Sequence, residues 1–245
     1  MQKRRLDQLL VERGLVQSRS RAQALIMAGS VYSDSKRLDK AGAQIPQNIK
    51  LELKSRDHPW VSRGGLKLEH ALEHFQINVT NRVCLDIGAS TGGFCDVLLS
   101  RGADKVYAVD VGHGQLAWEI RKNEKVAVLE RFNARYITDK EITERVDFIS
   151  CDASFIGLRT ILPAPLRLAK PGAKLVALIK PQFEVDKWQV GSKGVVREQK
   201  LREAVCNRIE YWLNGLDGWQ VIGVEKSPIT GAEGNIEFLI AAIYC

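Results

Sequence analysis

Five short apolar runs recur through the central and later part of this chain: 83-VCLDI-87, 105-KVYAVDV-111, 126-VAVLE-130, 146-VDFISCD-152 and 174-KLVALIK-180. Each is nearly continuous in apolar residues and does not alternate with polar ones, which predicts strands covered on both faces. Helical stretches separate them, and a helix over about 64–75 precedes the first. Such alternation predicts a mostly parallel, doubly wound, Rossmann-like α/β sheet. The end of the chain breaks the rhythm. Segments 219-WQVIGVEKSPI-229 and 235-NIEFLIAAIYC-245 are joined by the turn 230-TGAEG-234 with no helix between them. That requires a C-terminal antiparallel hairpin on the sheet.

The N-terminal part is patterned differently. In 6-LDQLLVERG-14, apolar residues at 6, 9 and 10 before a glycine predict a short helix. In 18-SRSRAQALIMAGSV-31 a serine cap leads into Ala22, Leu25 and Ile26, and Gly29 ends the helix. Segment 44-QIPQNIKLELKS-55 alternates Ile49, Leu51 and Leu53 like a strand. A small α+β domain over 1–55 is expected, then a linker over 56–61, where Pro59 opposes helix before it. The large domain is then 62–245.

Charge sharpens this division. The 245 residues carry a net +7, with 12 Lys and Arg against 6 Asp and Glu in residues 1–60 and 24 against 23 in the remainder. A basic segment of this kind is either a solvated surface or a footprint on a polyanion, most often nucleic acid. No run approaches the ~20 apolar residues that span a bilayer, so no membrane anchor is expected. The charged start 1-MQKRRLDQLLVERG-14 is unlike a secretory signal. The 5 cysteines are scattered without a C-x-x-C pair. They read as reduced thiols of a cytoplasmic protein, not as a disulfide framework or a zinc site.

Candidate chemistry centres on 86-DIGASTGGF-94, where a strand runs into a glycine-rich turn and a helix. A dinucleotide fingerprint is G-x-G-x-x-G, with glycines that let the backbone approach a pyrophosphate. Here the spacing is Gly88-x-x-x-Gly92-Gly93, with Asp86 two residues before the first glycine. An acid there repels a pyrophosphate and suits a cationic amine. Asp110 ends the next strand, where a carboxylate can bind ribose hydroxyls. An amine together with a ribose describes S-adenosylmethionine. The alternatives are a dinucleotide site and a turn without ligand.

The whole chain resembles the TlyA family of bacterial ribosomal RNA 2′-O-ribose methyltransferases. The resemblance rests on 18-SRSRAQALIMAG-29, 61-VSRGGLKLEHAL-72, 86-DIGASTGGF-94, 152-DASFI-156, 179-IKPQFE-184 and 234-GNIEFL-239, in family order along nearly the full length. It implies an N-terminal S4-like RNA-binding domain and a class I methyltransferase domain akin to FtsJ/RrmJ. It also implies S-adenosylmethionine as cofactor, no metal, and ribosomal RNA within a subunit as partner, with cytidines of the small-subunit RNA, the large-subunit RNA or both as targets. By motif, the Lys-Asp-Lys-Glu tetrad of related enzymes falls on Lys67, Asp152, Lys180 and Glu237. Asp152 and Lys180 end expected strands, Glu237 lies within the last expected strand, and Lys67 lies in the helix before the first.

In that reading the cofactor meets Asp86, Gly88, Ala89, Ser90, Gly92, Gly93, Phe94, Asp110, Val111 and Asn133. Lys180 activates the ribose hydroxyl, either as a base or by positioning it. Burial and a like charge from Lys67 lower a lysine pKa, while Asp152 and Glu237 oppose that shift. Candidate phosphate contacts are Arg5, Arg19, Arg21, Lys36 and Arg37, although 32-YSDSKRLDKAGAQI-45 departs from the usual S4 hairpin pattern. Two rivals stand beside this reading. One is a non-catalytic RNA-binding regulator. The other is a secreted cytolysin, since the family has been linked to haemolysis. The first is opposed by the intact tetrad, the second by the want of a signal or membrane-active segment.

Other features are weighed individually. His70 and His74 lie one helical turn apart but lack the glutamate of H-E-x-x-H, residue 71 being alanine; a surface or half-buried helix face is expected. Asn133 is either near the adenine or a plain loop residue. Phe155 either stacks on the target base or, as favoured, packs in the core. The polar loop 186-DKWQVGSKGVV-196 is either a cover over the RNA or an ordinary connection.

Overall fold

The chain divides into two compact units, residues 1–64 and 65–245, and the computed structural model describes residues 3–16, 18–27, 29–53 and 58–245. In the first unit, strand β1 (Lys3–Arg5) runs into helix α1 (Leu6–Glu12), and helix α2 (Arg19–Met27) follows. Leu6, Leu9 and Leu10 share one face of α1, as spacings of three and four require. They form a core with Ala22 and Ile26 of α2. The Ser18 hydroxyl accepts the Arg21 amide at 3.2 Å and caps α2.

Strands β2 (Val31–Ser33) and β3 (Lys36–Arg37) make a hairpin. Its turn residues Asp34 and Ser35 take φ of 45° and 67°, the mirror-image turn that matches strand twist. The single strand expected over 44–55 does not form. Strand β4 (Gln44–Pro46) pairs with β1, while strand β5 (Glu52–Leu53) pairs with β2. Pro46 has no amide proton to continue a ladder, and its carbonyl accepts the Ile49 amide at 3.1 Å in a turn. Residues 54–55 of that expected strand and 56–57 of the expected linker lie outside the described residues.

The second unit opens with helix α3 (Gly65–His74). Strands β6 (Val83–Ile87), β7 (Lys105–Val109), β8 (Val126–Leu129), β9 (Val146–Cys151) and β10 (Ala169–Ile179) follow. Helices α4 (Gly93–Ser100), α5 (Trp118–Arg121), α6 (Leu158–Ile161), α7 (Pro163–Leu166) and α8 (Gln199–Asn214) separate them or follow them. Strands β11 (Trp219–Lys226) and β12 (Phe238–Tyr244) close the chain. The sheet has seven strands in the order β11-β12-β10-β9-β6-β7-β8. Pairing is parallel from β10 to β8, and β12 runs antiparallel to both β10 and β11. The expected doubly wound sheet with a terminal antiparallel hairpin is therefore present. All five residues of β6 are buried, as continuous apolar runs demand.

Two boundaries differ from the sequence reading. Strand β10 starts at Ala169, five residues early, with an irregular register between Ala169 and Lys174 that accommodates Pro171 and Gly172. Glu237 stands immediately before β12 and not within it, because residues 231–235 close a turn through the Gly231 amide and the Asn235 carbonyl at 2.9 Å. Asp152 and Lys180 each lie one residue beyond the carboxyl end of a parallel strand, where open α/β sheets place their ligands.

Candidate active site

Lys67 comes from α3, Asp152 and Lys180 from the ends of β9 and β10, and Glu237 from the turn before β12. Fold topology brings the four together. Lys67 Nζ lies 2.7 Å from Glu237 Oε2 and 3.7 Å from Asp152 Oδ2. Lys180 Nζ lies 2.6 Å from Asp152 Oδ1. The result is a continuous Glu–Lys–Asp–Lys series of ion pairs. Lys67, Lys180 and Glu237 are buried, which charged side chains seldom are unless paired. Lys180 also donates to the Ser154 hydroxyl at 2.9 Å and to the Asp152 carbonyl at 3.1 Å.

A cavity of about 610 Å³ opens beside this series, with Asp152 and Ser154 in its wall. The loops after β6, β7, β8 and β9 supply the remainder: Gly88, Ser90, Asp110, Val111, Gln115, Phe132, Asn133 and Arg135 among them. Gly88 has φ +80°, and a Cβ there would stand 2.9 Å from the Ala153 backbone. Only glycine lets these two loops meet. Asp110 fixes its own loop and its neighbour's, accepting the Ser90 amide at 2.8 Å and the Gly112 amide at 2.7 Å.

A family model matches the unit that holds this sheet and ion-pair series. Residues 60–244 fit the FtsJ-like methyltransferases. The chain belongs to that family. Residues 4–48 match the S4 domain. Relatives align along nearly the full length of the chain. "Putative rRNA methyltransferase YqxC" of Bacillus subtilis is 48% identical over 239 residues, covering 97% of this chain and 85% of the relative. "16S/23S rRNA (cytidine-2'-O)-methyltransferase TlyA" of Mycobacterium tuberculosis is 47% identical over 241 residues, covering 96% and 88%. Among solved structures, "Putative hemolysin from Streptococcus thermophilus" aligns with TM-score 0.77 at 43% identity, covering 100% of this chain and 89% of that one.

Within this FtsJ-like domain, the loop residues expected to hold a cofactor divide in two. Gly88, Ser90, Asp110, Val111 and Asn133 line the cavity. Ala89, Gly92, Gly93 and Phe94 are not part of its lining; Gly92, at φ +94°, is the residue before α4, where a Cβ would stand 2.9 Å from the Leu116 side chain. Asp86 does not line the cavity either. Its carboxylate is fully buried and accepts the Cys95 thiol at 3.0 Å and the Ser150 hydroxyl at 2.9 Å. A direct contact between Asp86 and a ligand amine is therefore not what this arrangement offers. Burial pushes the Asp86 carboxyl up to about 7, against the pull of its Cys95 and Ser150 hydrogen bonds.

For Lys180 the sequence leaves the direction of the pKa shift open. Burial lowers its pKa, but the charges of Asp152 and Glu237 outweigh burial and raise it above the ordinary lysine value. Two carboxylates dominate the single like charge of Lys67. For Asp152, burial raises the pKa, and Lys180 and Lys67 together bring it below the usual carboxylate value.

Phe155 is not in the core. It is 90% exposed at φ +65° and leans on Phe183 with ring centroids 5.1 Å apart. The turn geometry after β9 directs its side chain outward, which apolarity alone does not reveal. Sequence reasoning also missed Ser154, although it lies in the 152-DASFI-156 motif. Gln115 and Phe132 carried no signal beyond their place in the loops after β7 and β8. The loop 186–196 is fastened at its far end: Asn235 accepts the Val196 amide at 3.1 Å and donates to the Gly194 carbonyl at 2.9 Å.

In the S4 unit the five basic candidates do not form one class. Arg5 and Arg19 are anchored on Asp7, which is fully buried, at 3.0 Å and 2.9 Å. Gln23 donates to the same carboxylate at 3.0 Å. The hydrogen bonds of Arg5 first, and those of Gln23 and Arg19, overcome burial and hold the Asp7 carboxyl far below its usual range. The Arg37 side chain covers Gly29, with its Cδ 3.3 Å from where a Cβ would be. Arg21 and Lys36 are exposed.

Proposed function

We propose that this protein transfers a methyl group from S-adenosylmethionine to the ribose 2′-hydroxyl of a cytidine in ribosomal RNA. The observation that carries the reading is the ion-pair series of Lys67, Asp152, Lys180 and Glu237 at the wall of the loop-lined cavity. The TlyA relative bears the matching activity in its name.

The cavity suits the cofactor in size and in chemistry. Asp110 presents a carboxylate for ribose hydroxyls, Gly88 and Ser90 present backbone, and Phe132, Val111 and Asn133 form a wall for adenine. Asp86 supports this loop from behind. The cofactor, when bound, supplies an electrophilic methyl on a sulfonium. Lys180 enters as a charged donor: it holds the 2′-oxygen in line and stabilises the negative charge that develops on it. Asp152 fixes the Lys180 ammonium, Lys67 fixes Asp152, and Glu237 fixes Lys67. With Lys180 already charged, the hydroxyl proton would pass to solvent water as the oxygen attacks, so that partial negative charge develops there for Lys180 to stabilise, and the breaking carbon–sulfur bond would leave its electron pair on sulfur.

The S4 unit supplies RNA affinity through its basic excess. Arg21 and Lys36 meet phosphates freely, and Arg5 and Arg19 offer guanidinium groups already oriented by Asp7. Ribosomal RNA in a subunit, met in the cytoplasm, is the expected substrate. The rival cytolysin reading has no support in the fold: among the described residues no helix is long and apolar enough to cross a membrane. The test is incubation with methyl-labelled S-adenosylmethionine and separate small and large ribosomal subunits, followed by mapping of the label. Incorporation at a cytidine is expected. Label in neither subunit, with the cofactor bound, overturns the substrate assignment.

A further inference from the structure

One cluster lies apart from the candidate active site: His70, His74 and Glu225, whose donor atoms all fall within 4.8 Å of one another. The two histidines project from one face of α3, one turn apart. Glu225 projects from β11, the edge strand. His70 Nε2 lies 3.9 Å from one Glu225 carboxylate oxygen, and His74 Nε2 lies 3.8 Å from the other. Both gaps are too long for hydrogen bonds. His70 Nε2 is nevertheless shielded from solvent and makes no hydrogen bond. A buried polar atom without a partner is uncommon, and an ion is one of the few things that accounts for it.

The frame around the cluster is firm. The imidazole rings stack with centroids 5.8 Å apart, and the His74 ring meets the Phe75 ring edge-on at 4.7 Å. Phe75 in turn presses on β11 so closely that a Cβ at Gly223 would stand 3.2 Å from it. Leu68, Ala71 and Leu72 hold the other face of α3 in the core.

We propose that His70, His74 and Glu225 bind a divalent transition ion of the zinc class, with two imidazole nitrogens and one carboxylate oxygen as ligands. Zinc sits roughly 2.0–2.2 Å from such donors, which places tetrahedral ligands roughly 3.4 Å apart. The short His–Glu gaps, each to a different Glu225 oxygen, are within about half an ångström of that spacing, and the widest donor separation, within 4.8 Å, closes by up to about 1.4 Å as half-exposed side chains turn about their own bonds. A water completes the shell. The site is a clip between α3 and the sheet edge and not a hydrolytic centre. Residue 71, where H-E-x-x-H carries its base, is the buried Ala71. Glu73, which completes an H-x-x-E-H spacing, is turned away to Arg101 at 2.8 Å. The third ligand comes from a strand some 150 residues later in the chain, which hides the site from a local motif search.

The experiment uses the untagged full chain, freed of metal by chelation, and titrates it with Zn²⁺ and separately with Co²⁺. Calorimetry should give one saturable equivalent of zinc, and the ion should raise the Tm. Bound cobalt should show visible d–d absorption without the near-ultraviolet thiolate band that cysteine ligation produces. His74→Gln and Glu225→Gln should each lower zinc affinity at least tenfold, with metal-free Tm equal to that of the parent. The cobalt spectrum of the parent decides even where a variant folds poorly. Absence of saturable binding below about 1 mM, a thiolate band, or undiminished affinity in the folded variants would overturn the site.

Discussion

Lys67 and Glu237 stand 170 residues apart in sequence, yet their charged atoms meet at 2.7 Å in a place almost closed to water. The contact joins the helix before the first central strand to the turn before the last. Removing Glu237 leaves the buried Lys67 with only Asp152, 3.7 Å away, as a charge partner, at a cost of up to about 3–5 kcal/mol. Glu237→Ala is therefore expected to lower stability markedly, with activity lost as well. The double variant Lys67→Met, Glu237→Leu should recover much of the stability and none of the activity. Denaturant unfolding of the set, run beside a methyl-transfer assay, checks both halves. A stable and inactive double variant separates the chemical role of the pair from its structural one.

In the proposed mechanism the reaction turns on Lys180. Lys180→Ala should reduce kcat by about 10²–10³ while S-adenosylmethionine affinity stays within about twofold, because its role lies in the transition state. The raised pKa adds a second expectation. A lysine that must first lose its proton gives a rate that climbs with pH. A lysine held charged by Asp152 and Glu237 gives a rate that stays level from neutral pH until the ammonium itself titrates, above the ordinary 10.5. Single-turnover rates across that range distinguish the two.

In the proposed cofactor site Asp110 and Asp86 have separate roles. Asp110→Ala should weaken S-adenosylmethionine binding directly, read by calorimetry. Asp86 should reveal itself through pH. Its folded pKa of about 7 lies above the ordinary aspartate value of 3.8. The stability it contributes is thus complete below the lower value and lost as pH rises through the upper. Asp86→Asn should remove that loss, on the order of 2 kcal/mol between about pH 5 and pH 8. Unfolding curves with the same pH slope in parent and variant would contradict the assignment.

Much of the architecture was legible in the sequence, for identifiable reasons. Strands covered on both faces must be continuously apolar, so the central strands announce themselves. The same runs put Asp152 and Lys180 at strand ends, while their proposed roles come from the family resemblance. What stayed hidden depends on long-range contact. Asp86 reads as a ligand by its spacing to Gly88, but Cys95 and Ser150 claim its carboxylate. Arg5 and Arg19 read as free phosphate contacts, but Asp7 anchors both. Phe155 reads as core by its apolarity, yet its left-handed backbone turns it outward. In each case the residue type was informative and its direction was not.

The basic excess of residues 1–60 leads to a measurement of salt dependence. Deleting this segment should weaken binding to ribosomal RNA and flatten the fall of affinity with salt, since fewer counterions are released. S-adenosylmethionine binding by the remaining domain should persist. Filter-binding or fluorescence titrations at several salt concentrations give the slope, and an unchanged slope would mean that these charges do not touch RNA.

The central claim is that the methyl group arrives on a ribose oxygen. Neither an N-P-P-Y nor a D-P-P-Y motif follows β9, where amine methylases of this fold carry one; residues 152–155 read DASF. RNA labelled by this protein and then hydrolysed in alkali tests the claim most directly. A 2′-O-methyl group blocks attack on the adjoining phosphate, so the label is predicted to emerge in an uncleaved dinucleotide with cytidine at its 5′ side. Label released in a mononucleotide would place the methyl on a base and contradict the roles assigned to Lys67, Asp152, Lys180 and Glu237.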